Sequence, residues 1–276
     1  VPHFEKMAGL NAGSVLLLYQ VNRETQNPEL KKAADQTIEY LSNTLYNAEI
    51  GSFLSFQQAD TSYYYLKKHR REKVDQPLVI EKIFTDSLAV TLNYLLEVLA
   101  YTKNTSLEKK VLSSLDFLAE MILKNENIFH YYSIPKKEWH AKSGLPDYAF
   151  LAKLFQQASA KYQYERYRQA ASKILRISRR EYYDAEKQIF IDRQLDAKDY
   201  EYLMGMNAGF ALGLMGESIN NAGKINTNVK PLISYFSGLE ELLEERLWDG
   251  NDWELLERYA SFLSAADRFL DSGNNP

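Results

Sequence analysis

The chain has 276 residues, 33 basic against 37 acidic side chains, a net charge of -4, 45% hydrophobic and 25% charged residues, and no cysteine. This is the composition of a folded globular protein. It argues against disorder and a bilayer-spanning run, and the lack of a basic excess argues against nucleic acid or a membrane as partner. Without cysteine there are no disulfides, thiolate metal sites or cysteine nucleophiles, so any chemistry rests on oxygen or imidazole groups.

In chain order, apolar residues recur at helical spacing and predict helices over 8–22, 28–46, 82–102, 105–125, 145–161, 164–184, 201–222, 228–247 and 252–270. Leu88, Leu92, Leu95, Leu96 and Leu99 mark one apolar face, and Leu107, Val111, Leu115, Leu118 and Ile122 mark the next. Strand-like alternation is scarce, so the fold class is all-α. The joins at Asn27-Pro28, Lys103-Asn104 and Gln163 are tight, whereas residues 47–81, 126–144 and 185–200 form long connections. Helices therefore come in hairpins, and each long connection emerges at the same end of the stacked array, as in a toroid or solenoid. Long connections in a compact fold are where function concentrates.

A polar residue recurs where each long connection enters a helix: Asn11-Ala12, Asp86-Ser87-Leu88-Ala89, Asp147-Tyr148-Ala149 and Asn207-Ala208. After the first interval the spacing is about 60 residues, longer than the roughly 34 to 47 of common helical solenoids. Two explanations stand side by side. Side-chain oxygens cap the free amides of a first turn, or the four polar groups converge with the helix N-termini on one hydroxyl-rich or anionic ligand.

Val1-Pro2-His3-Phe4-Glu5-Lys6-Met7, followed by Asn11-Ala12, resembles the Val-Pro-His-Phe-Glu-Lys-Met and Leu-Tyr-Asp-Asn-Ala segments of the thioredoxin-domain proteins of the YyaL type. The resemblance continues through Ser55-Phe56-Gln57-Gln58-Ala59-Asp60 with Tyr63-Tyr64, then Thr85-Asp86 and His130-Tyr131. It ends in Gly144-Leu145-Pro146-Asp147-Tyr148-Ala149-Phe150, similar to that family's Gly-Phe-Leu-Asp-Asp-Tyr-Ala-Phe. It implies an (α/α)6 toroid of the kind found in N-acylglucosamine 2-epimerases and six-hairpin glycosidases. The toroid would be incomplete here, with residues 1–276 as one domain and with the first helices and the thioredoxin-like domain absent. A chain that starts at Val1 without an initiator methionine or a signal-peptide pattern fits an excised piece, and the expected compartment is the cytoplasm. Departures occur at the junctions: Ala8-Gly9-Leu10 stands in place of the Tyr-Asp pair, Ser87-Leu88 in place of Trp-Asn, and Pro146 in place of the first Asp. They point to a changed substrate or a decayed site.

The resemblance makes carbohydrate binding, or sugar epimerisation or isomerisation, the leading expectation, with the reaction itself left open. Epimerisation needs a base beside a carbonyl and an acid to return the proton, work suited to imidazole. Of four histidines, His3 in the first motif and His130 are the acid/base candidates. His140 lies in the same connection as His130, and His69 sits in a basic turn with Lys67, Lys68, Arg70 and Arg71. Glu5 and Asp147 are candidates for orientation or proton transfer; Asn11, Asp60, Asp86, Tyr148 and Asn207 are candidates for binding hydroxyls. Lys6 is read either as the ion-pair partner of Glu5 or as an anion binder. A glycoside hydrolase would instead need two carboxylates about 5 to 9.5 Å apart, drawn from Glu5, Asp60, Asp86 and Asp147. No metal site and no cofactor is expected: no histidine pair has i, i+4 spacing, and phosphate-loop and dinucleotide fingerprints are missing. The expected partners are a small carbohydrate and the family's thioredoxin-like domain. The competing class is a non-catalytic scaffold.

Overall fold

The computed structural model describes residues 4–185 and 189–191. The chain divides after Lys142 into two compact units. The predicted helices over 201–222, 228–247 and 252–270 lie outside the described residues, as do His3 and Asn207.

In the first unit β1 (Lys6–Met7) leads into α1 (Ala8–Thr25) and α2 (Pro28–Thr44). The connection that follows carries β2 (Tyr46–Asn47), β3 (Ser52–Phe53), β4 (Phe56–Gln57), α3 (Thr61–Tyr65) and α4 (Lys68–Arg71). Then come β5 (Lys82–Phe84), α5 (Thr85–Val98), α6 (Thr105–Lys124), β6 (Phe129–Ser133) and β7 (Glu138–Lys142). The second unit opens with α7 (Leu145–Tyr162) and α8 (Glu165–Tyr182), followed by β8 (Tyr183–Asp184) and β9 (Ile189–Phe190).

Local chemistry explains the helix joins. α1 ends in a left-handed residue, Gln26 (φ 54), whose N–H donates to the Asn22 carbonyl at 2.8 Å. The next side chain, Asn27, accepts from the Glu29 amide, and Pro28 starts α2, where its missing N–H costs nothing. Asn104 caps α6 by accepting from Leu107 N–H at 2.9 Å. Gln163 (φ 56) repeats the left-handed ending between α7 and α8.

Packing follows the predicted faces. Leu107, Val111, Leu115, Leu118 and Ile122 on α6 are all fully buried, as are Leu92 and Leu95 on α5. Each such side chain contributes about 1.5–3 kcal/mol by leaving water. α1 packs against α5 closely enough that a Cβ on Gly9 would stand 3.1 Å from Val90 Cγ1, and one on Gly13 would stand 3.3 Å from the Tyr94 ring. The six longer described helices therefore follow the chain-order prediction, whereas the short α3 and α4 fall in the expected connection 47–81; no described helix is long and apolar enough to cross a membrane.

The connections differ from expectation. Residues 126–144 are a β-hairpin, and β5, β6 and β7 form an antiparallel sheet with Phe84 opposite Tyr131, Ile83 opposite Tyr132, and Tyr131 opposite His140. α5 therefore begins at Thr85 and not at 82, because Lys82–Phe84 are taken up by pairing with β6. Residues 47–81 hold short strands as well. β2 and β3 turn back at Gly51 (φ 74), where a Cβ would lie 2.5 Å from Ser113 Oγ.

Candidate functional site

The junctions that lead into α1 and α5 are stitched together by one residue. Ser55, 2% exposed, accepts the Ala8 amide on its carbonyl (2.9 Å) and the Phe84 amide on its hydroxyl (2.9 Å). The start of α1 and the end of β5 are thereby held side by side. One residue beyond Phe84, the buried Thr85 hydroxyl donates to the Phe129 carbonyl at 2.6 Å and ties α5 to β6. Asp86 then sits in the first turn of α5, where its Oδ1 accepts the Ser87 amide at 2.6 Å. A carboxylate there is favoured by the positive end of the helix.

His130 enters from β6, the strand beside β5. Its ring lies 5.5 Å from that of Phe84, centroid to centroid, and a ring nitrogen of His130 and a carboxylate oxygen of Asp86 fall within 4.8 Å of one another. Both residues are half-buried. A pairing this close between side chains 44 positions apart exists only because β5 and β6 are in register. Imidazole nitrogen and carboxylate oxygen are also metal donors, so the same pair could supply two ligands to a divalent cation.

Around this pair the rings continue. Phe84 lies 5.7 Å from Tyr131, whose opposite neighbour His140 stacks on it at 5.1 Å, and the Lys82 ammonium stands 5.1 Å from the Tyr131 centroid. His140 Nε2 is 3.2 Å from Glu138 Oε1.

The other candidates have defined local positions. Glu5 is exposed, and among the described residues it makes no ion pair with Lys6. The ammonium of Lys6 instead lies 5.0 Å from the ring centroids of both Tyr40 on α2 and Tyr64 on α3. Asn11 Nδ2 donates to the Met7 carbonyl at 2.8 Å and braces the first turn of α1. Asp60 caps α3. Its Oδ1 accepts from the Ser62 hydroxyl (2.5 Å) and the Tyr63 amide (3.0 Å), and these bonds, the hydroxyl first, hold its carboxyl below the ordinary range.

Within the second unit Asp147 is buried in the first turn of α7 and accepts the Gly144 amide on Oδ2 at 2.9 Å. Tyr148 is fully buried, its ring 5.4 Å from that of Tyr182. Asp86 and Asp147 thus accept backbone amides at their helix starts, whereas Asn11 donates to a carbonyl. Ser55 and the aromatic surroundings of Lys6 had not been singled out from the sequence. Their only signal in the sequence was the Ser-Phe-Gln-Gln-Ala-Asp segment with the Tyr63-Tyr64 that follows it.

No family model and no curated protein matches this chain. Solved structures do. Cellobiose 2-epimerase from Bacillus thermoamylovorans B4167 superposes with a TM-score of 0.65 at 9% identity, over 97% of this chain and 75% of that one. Cellobiose 2-epimerase from Spirochaeta thermophila DSM 6192 gives 0.62 at 11% identity over 86% and 60%. A GH76 α-mannanase of Bacteroides thetaiotaomicron gives 0.56 at 13% identity over 84% and 56%. The chain thus spans less than two thirds of the Spirochaeta epimerase and of the mannanase. At these identities the shared property is the fold. It is the all-α toroid fold.

Proposed function

We propose that this chain is a sugar-processing toroid domain in which His130, oriented by Asp86, moves a proton at the carbon beside a sugar carbonyl, as an epimerase or isomerase does. The observation that carries the reading is the approach of the His130 ring nitrogen to the Asp86 carboxylate within 4.8 Å at the α5 junction. It is supported by a fold shared with two cellobiose 2-epimerases. As imidazole takes a proton, a carboxylate at 4 to 6 Å stabilises the cation that forms, and it also fixes the ring's orientation. Glu5, Asp147 and the binding set Asn11, Asp60, Tyr148 and Asn207, together with His3, stay in the proposal as sequence-derived participants. The likeness of residues 1–7 and 144–150 to YyaL-type proteins supports placing the chain as the toroid portion of such a protein, next to a thioredoxin-like domain.

Incorporation of deuterium at C2 tests the reaction. The chain is incubated in D2O with mannose, glucose, N-acetylglucosamine and cellobiose, and the C2 proton is followed by NMR. Exchange with at least one sugar, lowered by about 10²–10⁴-fold in His130→Asn, is the expected result. Folded protein that exchanges no C2 proton refutes the proton-transfer reading and favours a scaffold. Release of mannose from an α-mannan without exchange would instead favour hydrolysis, the activity of the mannanase with the same fold.

A further inference from the structure

The first motif contains a cation that the proposed proton transfer does not use. Lys6 lies on β1, opposite Gln57 of β4. Its ammonium stands 5.0 Å from the ring centroid of Tyr40 and 5.0 Å from that of Tyr64, so two aromatic faces hold it. The rings themselves are fixed. The Tyr40 hydroxyl donates to Gln57 Oε1 at 3.1 Å, and the buried Gln57 passes the constraint on by donating from Nε2 to the Pro77 carbonyl at 2.7 Å. Tyr64 is stacked by Phe4 at 5.0 Å and met edge-on by Tyr63 at 5.2 Å.

Two polar groups in this cradle are left over. Among the described residues no carboxylate lies within ion-pairing range of Lys6, whose N–H donors meet only ring faces. The Tyr64 hydroxyl is buried without a hydrogen-bond partner. A buried polar atom with no partner is a rarity that calls for an explanation. Beside them stands an aromatic face open to water, Tyr65, which is 68% exposed and packs edge-on against Phe4. The strand that carries Lys6 runs directly into α1, whose first amide shares Ser55 with Phe84, two residues before Asp86. The cation therefore belongs to the same pair of junctions as the proposed acid/base group.

We propose that Lys6, with the Tyr64 hydroxyl, binds an anionic group carried by the sugar ligand, a carboxylate or a phosphate, while the exposed ring of Tyr65 stacks on the pyranose. This assignment rests on the carbohydrate reading and narrows its substrate class to acidic sugars. Ammonium bonds to a charged oxygen are short and about twice as strong as neutral ones, and a cation pre-held by tyrosine faces loses little freedom on binding.

Isothermal titration of the chain with mannose, mannuronate, mannose 6-phosphate and inorganic phosphate tests it, in wild type, Lys6→Met and Lys6→Arg. The acidic sugars are expected to bind about tenfold more tightly than mannose, with the preference lost in Lys6→Met, kept in Lys6→Arg and weakened by salt. Whichever of the two acidic sugars binds more tightly identifies the anion. Equal binding of mannose and its acidic derivatives, or a preference that survives Lys6→Met, overturns the anion site while leaving the carbohydrate reading intact. Inorganic phosphate binding as tightly as mannose 6-phosphate overturns the sugar's part in it, and no binding of any sugar overturns both readings. Should Lys6→Met fail to fold, salt dependence of the preference in wild type and Lys6→Arg decides: a preference unaffected by salt overturns the site.

Discussion

The stitch at Ser55 makes a quantitative prediction. Ser55→Ala removes the hydroxyl that accepts the Phe84 amide at 2.9 Å while leaving the carbonyl that accepts Ala8. Because Ser55 is 2% exposed, water does not replace the lost acceptor without opening the junction. An orphaned buried amide costs about 1–3 kcal/mol, which converts to roughly 5- to 150-fold faster exchange of the Phe84 amide if opening is local. Hydrogen exchange followed by mass spectrometry on a peptide spanning residues 82–88 reads this directly. The Leu115 region of α6, remote in sequence and outside the stitch, supplies the control and should keep its protection. Loss of protection spread evenly over both segments would mean global destabilisation. Unchanged exchange at Phe84 would refute the argument that one buried hydroxyl holds the two junctions together.

Other consequences follow from single positions. Gly51→Ala should lower the melting temperature, since alanine at φ 74 costs roughly 1–2 kcal/mol before its Cβ meets Ser113 Oγ at 2.5 Å; adding Ser113→Ala should recover only the steric part. Leu115→Ala should cost about 2–5 kcal/mol by urea denaturation, because Leu115 is fully buried, whereas Leu17→Ala, at a side chain 60% exposed, should change stability by less than about 0.5 kcal/mol. The depressed carboxyl of Asp60 gives stability that is present above the ordinary carboxylate range and lost as pH falls below about 4. Asp60→Asn should flatten that acid limb, and an unaltered limb in thermal scans from pH 6 to 2.5 would assign the acid sensitivity elsewhere. Finally, if Asp86 and His130 act as an acid/base pair, dialysis against a chelator should leave C2 exchange unchanged; loss of exchange restored by a divalent cation would make them metal ligands.

The helices were legible because their signal is local. Leu107, Val111, Leu115, Leu118 and Ile122 recur with the period of one helix face, and all five are buried where that period places them. The hairpin joins were legible for the same reason: Asn27-Pro28 and Asn104 carry capping chemistry within three residues of the amides they serve. Strands were not. β1 to β5 are two or three residues long, too short to show alternation, and β6 (Phe129–Ser133) is a run of rings and hydroxyls that carries no period at all.

The candidate site divides along the same line. From the residues alone came the recurrence of a polar side chain at each loop-to-helix junction and the restriction of chemistry to oxygen and imidazole. The partners of those residues were decided elsewhere: Asp86 with His130, Ser55 with both Ala8 and Phe84, and Lys6 with Tyr40 and Tyr64. Each of these couples side chains far apart in the chain through strand register and helix packing, and register follows from which side chains can be buried together, a property that no window of sequence contains. Sequence periodicity determined the six longer described helices; only the tertiary structure decided where α5 begins and which helix starts meet.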